Sequence, residues 1–506
     1  MNRLHARLVG LSLSLLLSFG TTLSIHCADG AAASIDGAGG VAASASGPAV
    51  RTNGAEAEIR GTEAEPQIRG AESDAEIRGA QPQSGKPLTL EDAWRMALTS
   101  NLTLQQQETL LRQAREELAI QRAEYLPSLS ALGSYGYTSQ VPIVKLPIAL
   151  PGMPRIEIQA GTKSRYDLSA QIDQPLFTGF RTRNLVASAS EQLRAQSAQK
   201  EATSNQILLQ VGLMYYQIQL DYLQQQVLEQ AIERADHHLE RVRSFFRAEQ
   251  ATAFDTLEVA DGKLQLQSQL QKLRDLHPVL VSRLVQILNL DYTPQIPEIS
   301  LEGADLTLGD LDEYQSAAVS ERPELRQIGF VKRGQSFRVK ALKSAYIPQL
   351  YASASYHHAK PGVNFFEDVW SDYYAVGVNL RWQLWNWKQD QREVKKARLD
   401  YDRLDLQSRQ LLLDVRQQVT EAFQHLQATR RQIELQRRLV TQERERYRIT
   451  RDNYEEANAT SLDLSTAENT LTSAELTLKQ NYVEWLQYRL QLEFAAGTIG
   501  KEATGN

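Results

Sequence analysis

Tyr125-Leu126-Pro127-Ser128-Leu129 and Tyr346-Ile347-Pro348-Gln349-Leu350 are related by an offset of 221 in the numbering (346 − 125), as are Leu104 and Leu325. Farther along the offset becomes 208: Pro175-Leu176-Phe177 matches Gln383-Leu384-Trp385 (383 − 175), Tyr215 matches Phe423, Ala251-Thr252 matches Ala459-Thr460, and Asp255 matches Asp463. From residue 88 onward the chain is therefore a duplication. An offset that holds from Pro175 to Asp255 means that this segment kept its length in both copies, as a continuous rod requires. The change of offset, from 221 to 208, falls between Pro127 and Pro175, where loop signals lie.

Each copy reads in the order helix, strand, loop, strand, long helix, turn, helix. Leu90 to Tyr125 has helical composition and is stopped by Pro127, which cannot continue the hydrogen-bond ladder and disfavours helix in the residue before it. Leu129, Ala131, Gly133, Tyr135 and Tyr137 then alternate with Ser130, Leu132, Ser134 and Gly136, the period of a strand. Residues 139–164 are studded with Pro and Gly and predict a loop, and Tyr166 to Pro175 predicts a returning strand. The second copy predicts strands over Leu350–His357 and Tyr374–Trp382, joined through Pro361-Gly362. These lengths are close to the roughly ten residues a tilted membrane-spanning strand needs.

The helical segments carry coiled-coil spacing. Leu426, Ile433, Val440, Tyr447 and Tyr454 recur every seven residues, and Arg430, Arg431, Glu434, Arg437, Arg438 and Glu443 form a mixed-sign solvated face between them. Residues 179–247 would make a helix of about 100 Å, whereas 90–125 and 255–290 are each about half as long. Stacked end to end, the two shorter helices match the long one, in a rod that reverses at 248–254 and, in the second copy, around 456–461.

Composition narrows the class. Of 506 residues, 42% are hydrophobic and 7% aromatic, low for a packed α/β enzyme, and the net charge of −6 lacks the basic excess of a nucleic-acid partner. Residues 1–27 read as an export signal: Arg3, His5 and Arg7, the apolar run Leu8 to Phe19, then small residues. Cys27 is the only cysteine, which excludes an intrachain disulfide or a thiolate metal cluster. It is either part of the signal or a lipid attachment point, though Ser24-Ile25-His26 fits a lipoprotein peptidase poorly. Residues 28–87 are rich in Ala, Gly, Ser and Glu and repeat Ile-Arg-Gly at 59, 68 and 77, a composition that predicts disorder. Residues 88–300 and 301–497 are the two repeats, and 498–506 a tail. After the signal no run of 18 apolar residues occurs, so any membrane span must be β.

Four strands cannot close a barrel, and an open edge in hydrocarbon leaves backbone groups unpaired at several kcal/mol each. Protomers must therefore pool strands, and since the smallest membrane barrels have about eight, at least two chains are needed. The expected fold is mostly α with membrane β: a long α-helical coiled-coil barrel plus an oligomeric transmembrane β-barrel, four strands per protomer.

Leu-Thr-Leu-Glu-Asp-Ala at 88–93, Tyr-Leu-Pro-x-Leu at 125–129 with its echo at 346–350, Gln-Pro-Leu-Phe at 174–177, Glu-Arg-Pro-Glu-Leu at 321–325 and the two Ala-Thr-x-x-Asp turns together resemble the TolC-like outer membrane efflux proteins over residues 88–497. The resemblance implies a homotrimer, a twelve-stranded barrel in outer membrane lipid, a helical tunnel across the periplasm, and two partners: a periplasmic adaptor and an inner-membrane pump that supplies the energy. It implies no cofactor, no metal and no catalysis. It also implies an aspartate ring at the periplasmic entrance, matched by Asp463 with Asp255 as its first-repeat counterpart, and a tyrosine tying neighbouring helices, matched by Tyr454. The tips that meet an adaptor are Glu249, Gln250 and Ala251 and their counterparts Ala457, Asn458 and Ala459. This chain departs from the family pattern at Thr466, where a second gate aspartate is expected, at Ala459, where a tying arginine is expected, and at Glu249 and Ala457, where turn glycines are expected.

Each assignment has a plainer counterpart. Asp255 and Asp463 follow turns and can cap helices. Phe177, Phe180, Trp382, Trp385 and Trp387, with Trp370 beside the same strand, suit a membrane interface but also suit packing where strands become helices. His237-His238 lies on a charged helix and His357-His358 near an outer loop. The enzyme motifs His-Glu-x-x-His and Gly-x-Ser-x-Gly are absent from the sequence. A pore-free coiled-coil envelope protein would explain heptads and export but not the duplicated strand pairs. A periplasmic adaptor would have one helical hairpin, not two.

Overall fold

The computed structural model describes residues 87–145, 157–299 and 306–500. The export signal with Cys27, the repeat of Ile-Arg-Gly and the boundary expected at 300–301 lie outside the described residues.

Helix α1 spans Leu90–Ser100 and α2 Leu102–Ala123; strands follow at β1 (Ser128–Tyr137), β2 (Ile143–Lys145), β3 (Glu157–Gln159) and β4 (Ser164–Phe177). Helix α3 then runs Arg181–Arg247 and α4 Ala253–Leu288. The second repeat gives α5 (Leu311–Glu321), α6 (Pro323–Leu342), a short 3-10 turn, β5 (Gln349–Lys360), β6 (Ser371–Arg381), α7 (Gln389–Glu455) and α8 (Ser461–Ala496). Helices α3 and α7 are each 67 residues long, and α4 and α8 each 36. The constant offset of 208 is thus an equality of element lengths. Among the described residues no helix is long and apolar enough to cross a membrane.

Two expectations are corrected. The helix expected over Leu90–Tyr125 is two helices, broken at Asn101, whose extended backbone ends α1 while its Oδ1 accepts from Thr103 and Leu104 N–H at 2.9 and 3.3 Å to start α2. The same joint recurs at the first-copy offset of 221, at Arg322 (322 − 101), where Pro323 begins α6. A local side-chain cap can satisfy helix-end donors in mid-segment, which composition alone does not reveal. The loop expected over 139–164 contains a small ribbon in which β2 and β3 pair, Ile143 to Gln159 and Lys145 to Glu157.

The shorter helices stack along the long ones as length arithmetic requires. Against α3, Lys200 pairs with Glu108 of α2 at 2.6 Å, the Trp94 indole of α1 donates to Leu208 O at 2.9 Å, and farther along Arg274 of α4 reaches Glu229 at 2.7 Å. The core follows the same axis. Trp94, Val211, Ile218, Leu284 and Leu490 form one buried cluster, Val415, Leu426, Ile433, Val483 and Trp485 a second, and Leu239, Val242, Val259, Tyr454 and Leu464 a third near the helix ends. The seam of Leu426, Ile433, Val440 and Tyr454 is buried, as its spacing of seven predicts.

Candidate functional site

The sheet order is β1-β4-β5-β6, all antiparallel, so the last strand of one repeat pairs with the first of the next. Its register sorts the residues onto two faces. One carries Leu129, Ala131 and Tyr135 of β1 beside Ile172, Ala170 and Tyr166 of β4, and Ala352, Ala354 and Tyr356 of β5 beside Val378, Val376 and Tyr374 of β6. The other carries Ser130 and Ser134, Asp173, Gln171 and Asp167, Ser353, Ser355 and His357, and Asn379 and Arg381. Hydrogen bonds confirm the polar face: Gln171 Nε2 donates to Asp173, Asn379 Nδ2 donates to Ser353 Oγ at 3.2 Å, and His357 lies 3.1 Å from Asp167. The apolar face is bare, with Val376 75% and Leu380 67% exposed. Strands β1 and β6 each have a single neighbour. A sheet with an apolar face and a polar face, strands of 10 to 14 residues and two open edges is a sector of a membrane barrel around a wet lumen.

Aromatic side chains bound the apolar face at both ends. Beside the helices, Phe177 packs edge-on against Phe180 with ring centres 5.3 Å apart, and Trp385 against Trp387 at 6.0 Å, with Trp382 also exposed. At the loop end a row runs Tyr135, Tyr166, Trp370, His358, with successive ring centres 5.0, 5.9 and 4.6 Å apart. His357 and His358 lie near the loop end of β5, on opposite faces of the sheet. Tyr374 and Trp382, eight residues apart, span about 26 Å along an extended strand, comparable to an apolar band of about 25 Å.

At the opposite ends of the long helices both turns close alike. Gln250 N–H donates to Phe245 O and Asn458 N–H to Asn453 O, each at 2.8 Å, while Glu249 and Ala457 take left-handed φ of 61° and 59°. The glycine departures at 249 and 457 therefore leave the turn geometry in place. Glu249, Gln250, Ala457 and Asn458 are exposed, and Ala251 and Ala459 pack against the third core cluster.

Asp255 and Asp463 each complete a capping box. Thr252 Oγ1 accepts from Asp255 N–H at 3.2 Å and Asp255 Oδ2 accepts from Thr252 N–H at 2.7 Å; for Thr460 and Asp463 the distances are 3.1 and 3.0 Å. The Thr460 hydroxyl also donates to Asp463 Oδ2, and this bond, ahead of the one from Thr460 N–H, holds the Asp463 carboxyl below its usual range. Both bonds that the exposed Asp463 carboxylate accepts in this box fall on Oδ2, so the cap does not engage Oδ1.

Tyr454, 5% exposed, joins α7 to α3: its ring lies 5.3 Å from His238 and 5.5 Å from Phe245. Burial, and secondarily the Asp255 charge, push its hydroxyl pKa up. His238 is itself 3% exposed, with Nδ1 3.3 Å from Glu468 Oε2 of α8 and Nε2 3.2 Å from Ser461 Oγ. The surrounding sequence places this residue on a charged helix without saying which face it occupies. The signal was present, because Ala231, Ala235, His238 and Val242 follow the helical spacing of a buried stripe.

The sequence pattern of the outer membrane efflux protein family matches residues 93–289 and 315–498. No curated protein sequence matches the chain. Among solved structures it is similar in fold to the outer-membrane channel OprN (17% identity, TM-score 0.68, 81% of this chain and 90% of that one). It is also similar to CusC (14%, 0.70, 81% and 92%) and to the CmeC outer membrane channel of Campylobacter jejuni (15%, 0.67, 81% and 85%). A two-faced strand sector, paired long helical hairpins and a family pattern covering both repeats lead to one conclusion: the chain belongs to the outer membrane efflux protein family, as an exit duct of the cell outer membrane that extends into the periplasm.

Proposed function

We propose that three copies of this chain pool their strands into a twelve-stranded barrel and their helices into one tunnel, a passive duct without catalysis that carries substrate outward from a tripartite efflux or type I secretion system. The observation that carries this reading is the four-stranded sheet with opposed apolar and polar faces and open edges at β1 and β6. An edge of this kind cannot sit in lipid alone, and pairing β6 of one copy with β1 of the next removes every edge. The helices support the same assembly: Leu399, Leu406 and Leu413 repeat every seven residues along α7 and are all more than half exposed in the single chain, a stripe suited to a neighbouring helix. Three is the number of copies that the resemblance to this family implies.

Within this assembly Asp463, with Asp255 behind it, narrows the periplasmic entrance, and Tyr454 ties the two hairpins of one chain. Glu249, Gln250, Ala251, Ala457, Asn458 and Ala459 are the tips that meet a periplasmic adaptor, which links the duct to an inner-membrane pump. Phe177, Phe180, Trp382, Trp385 and Trp387 form the inner aromatic girdle. Residues 1–27 direct export, 28–87 precede the two repeats at 88–300 and 301–497, and 498–506 form a tail. The test is the native mass of protein extracted in detergent from outer membranes, followed by planar-bilayer conductance. A conducting trimer is expected. A monomer or dimer that washes off the membrane in aqueous buffer overturns the duct and favours a pore-free coiled-coil protein.

A further inference from the structure

The seam between α3 and α8 holds a buried polar cluster that transport as described above does not use. His238 sits on a stripe otherwise made of Ala231, Ala235, Leu239 and Val242, where an aliphatic side chain would pack without any polar cost. Burying an imidazole costs free energy unless its nitrogens are satisfied, and here Nδ1 meets Glu468 at 3.3 Å and Nε2 meets the Ser461 hydroxyl at 3.2 Å. Ser461 is the first residue of α8 and Glu468 lies seven residues on, so one ring clamps the first two turns of that helix to α3. Asp463, two residues past Ser461, is turned roughly 200° around α8 and is exposed on the side away from α3. Any separation of α8 from α3 therefore moves Asp463.

The seam is also incompletely satisfied. Arg234 reaches Thr472 at 3.1 Å and Glu475 at 3.4 Å, and Arg444 of α7 binds the other oxygen of Glu475 at 2.9 Å. Yet Arg234 Nε, Glu468 Oε1 and the Tyr454 hydroxyl are buried without hydrogen-bond partners among the described residues. Each buried polar atom left without a partner carries its desolvation cost, so the closed seam is held at less than its full strength. The ionisable groups around His238 are Arg234 and Arg241 of α3, Asp255 of α4, Arg444, Tyr447, Tyr454 and Glu455 of α7, and Glu468 and Glu475 of α8.

We propose that His238 is a latch for the entrance: it holds the Asp463-bearing start of α8 against α3, and protonation of its ring tightens that hold, so acidification decreases opening. Neutral, the ring donates from Nδ1 to Glu468 and accepts at Nε2 from Ser461. Protonated, it donates from both nitrogens, and the contact with Glu468 becomes an ion pair. The added strength exists only while α8 lies on α3, so the proton favours the closed seam.

This proposal rests on the channel reading, and one experiment separates the two. Purified full-length protein is reconstituted in planar bilayers and its open probability measured at about pH 7.5 and 5.5. Wild type is expected to open about five-fold less at the lower pH, the low end of a typical coupling between two sites. His238→Gln, which keeps a hydrogen-bonding side chain and does not titrate, is expected to be flat. Should His238→Gln fail to assemble as a detergent-stable oligomer, Glu468→Gln, which removes the charge partner alone, takes its place with the same expected flattening. A wild type indifferent to pH, or variants that keep its full slope, overturns the latch while leaving the channel standing. A wild type that never conducts overturns both.

Discussion

Glu249 and Ala457, counterparts at the offset of 208 (457 − 249), close the two helical hairpins in the same left-handed backbone conformation, φ 61° and 59°. Left-handed geometry costs a residue with a Cβ roughly 1–2 kcal/mol, of which part is returned because glycine has more freedom to lose on folding. Glu249→Gly and Ala457→Gly are each expected to stabilise the fold by up to about 1 kcal/mol. Thermal melts of the single and double variants in detergent check this; a fall in melting temperature would mean that the side chains make tip contacts absent from the single chain.

Capping and charge at Asp463 are separable. Thr460→Ala removes the N-cap and is expected to cost about 1 kcal/mol with ion selectivity unchanged. Asp463→Asn keeps an acceptor for Thr460 N–H and removes the charge, so cation preference, read as a reversal potential in a salt gradient, should fall. Because Thr460 holds the Asp463 carboxyl below its usual range, its ionised form persists on acidification. Its contribution to the cap is fully present above the usual carboxylate range and is lost only as pH falls through the lowered value. Cation preference should therefore survive at pH values where an ordinary carboxylate is already half protonated.

Gly212 lies where α3 meets α8 and α1: a Cβ there would collide with Leu490 Cδ1 and touch Trp94 at 3.7 Å. Leu490 is 4% exposed, and its neighbours give it little room to shift. Gly212→Ala is expected to destabilise by about 1–3 kcal/mol despite its better helix propensity. A denaturant midpoint equal to that of wild type would refute this packing.

The helix joints at Asn101 and Arg322 perform one task with different chemistry. Asn101 Nδ2 donates to Ile287 O at 2.8 Å, and Arg322 Nη1 donates to Phe494 O at 3.1 Å, so each ties its joint to the last turn of the closing helix of its repeat. Arg322 is 5% exposed, pairs with Glu324 at 3.0 Å and covers the Phe494 ring at 4.8 Å. Arg322→Ala leaves buried acceptors unpaired and is expected to cost about 2–3 kcal/mol, against about 1 kcal/mol for Asn101→Ala. Chemical denaturation of both variants orders them; equal losses would contradict the greater burial of the arginine joint.

Two adjacent residues test the sidedness of the sheet. Val376 lies on the apolar face and Ala375, paired with Ser355, on the polar one. Val376→Arg at mid-strand should cost about 2–4 kcal/mol and abolish outer-membrane insertion, whereas Ala375→Arg should insert normally and change conductance. Insertion is read by heat-modifiable migration of the membrane fraction. Equal tolerance of the two would reverse or erase the assignment of faces.

Much of the fold was legible in the residues themselves. The duplication at offsets of 221 and 208 dictated helices of equal length in the two repeats, Pro127 and Pro348 marked where helices give way to strands, and period-two alternation located all four strands of the sheet to within a few residues. These are local signals, each set by the geometry of one element. The turns at the tips, and the capping pairs Thr252–Asp255 and Thr460–Asp463, were equally open to reading because a cap is made within four residues.

The tertiary structure decided what depends on neighbours distant in sequence. It paired β4 with β5 across the repeat boundary, and it tied the capped joint at Asn101 to Ile287, far along the chain at the end of α4. It set Glu468 and Ser461 against His238: the spacing of Ala231, Ala235, His238 and Val242 states that this face of α3 is buried, but not which groups meet the ring. Periodicity states that a face is buried but not against what, and the chemistry of a buried polar group is set by its partner rather than by its position in the chain.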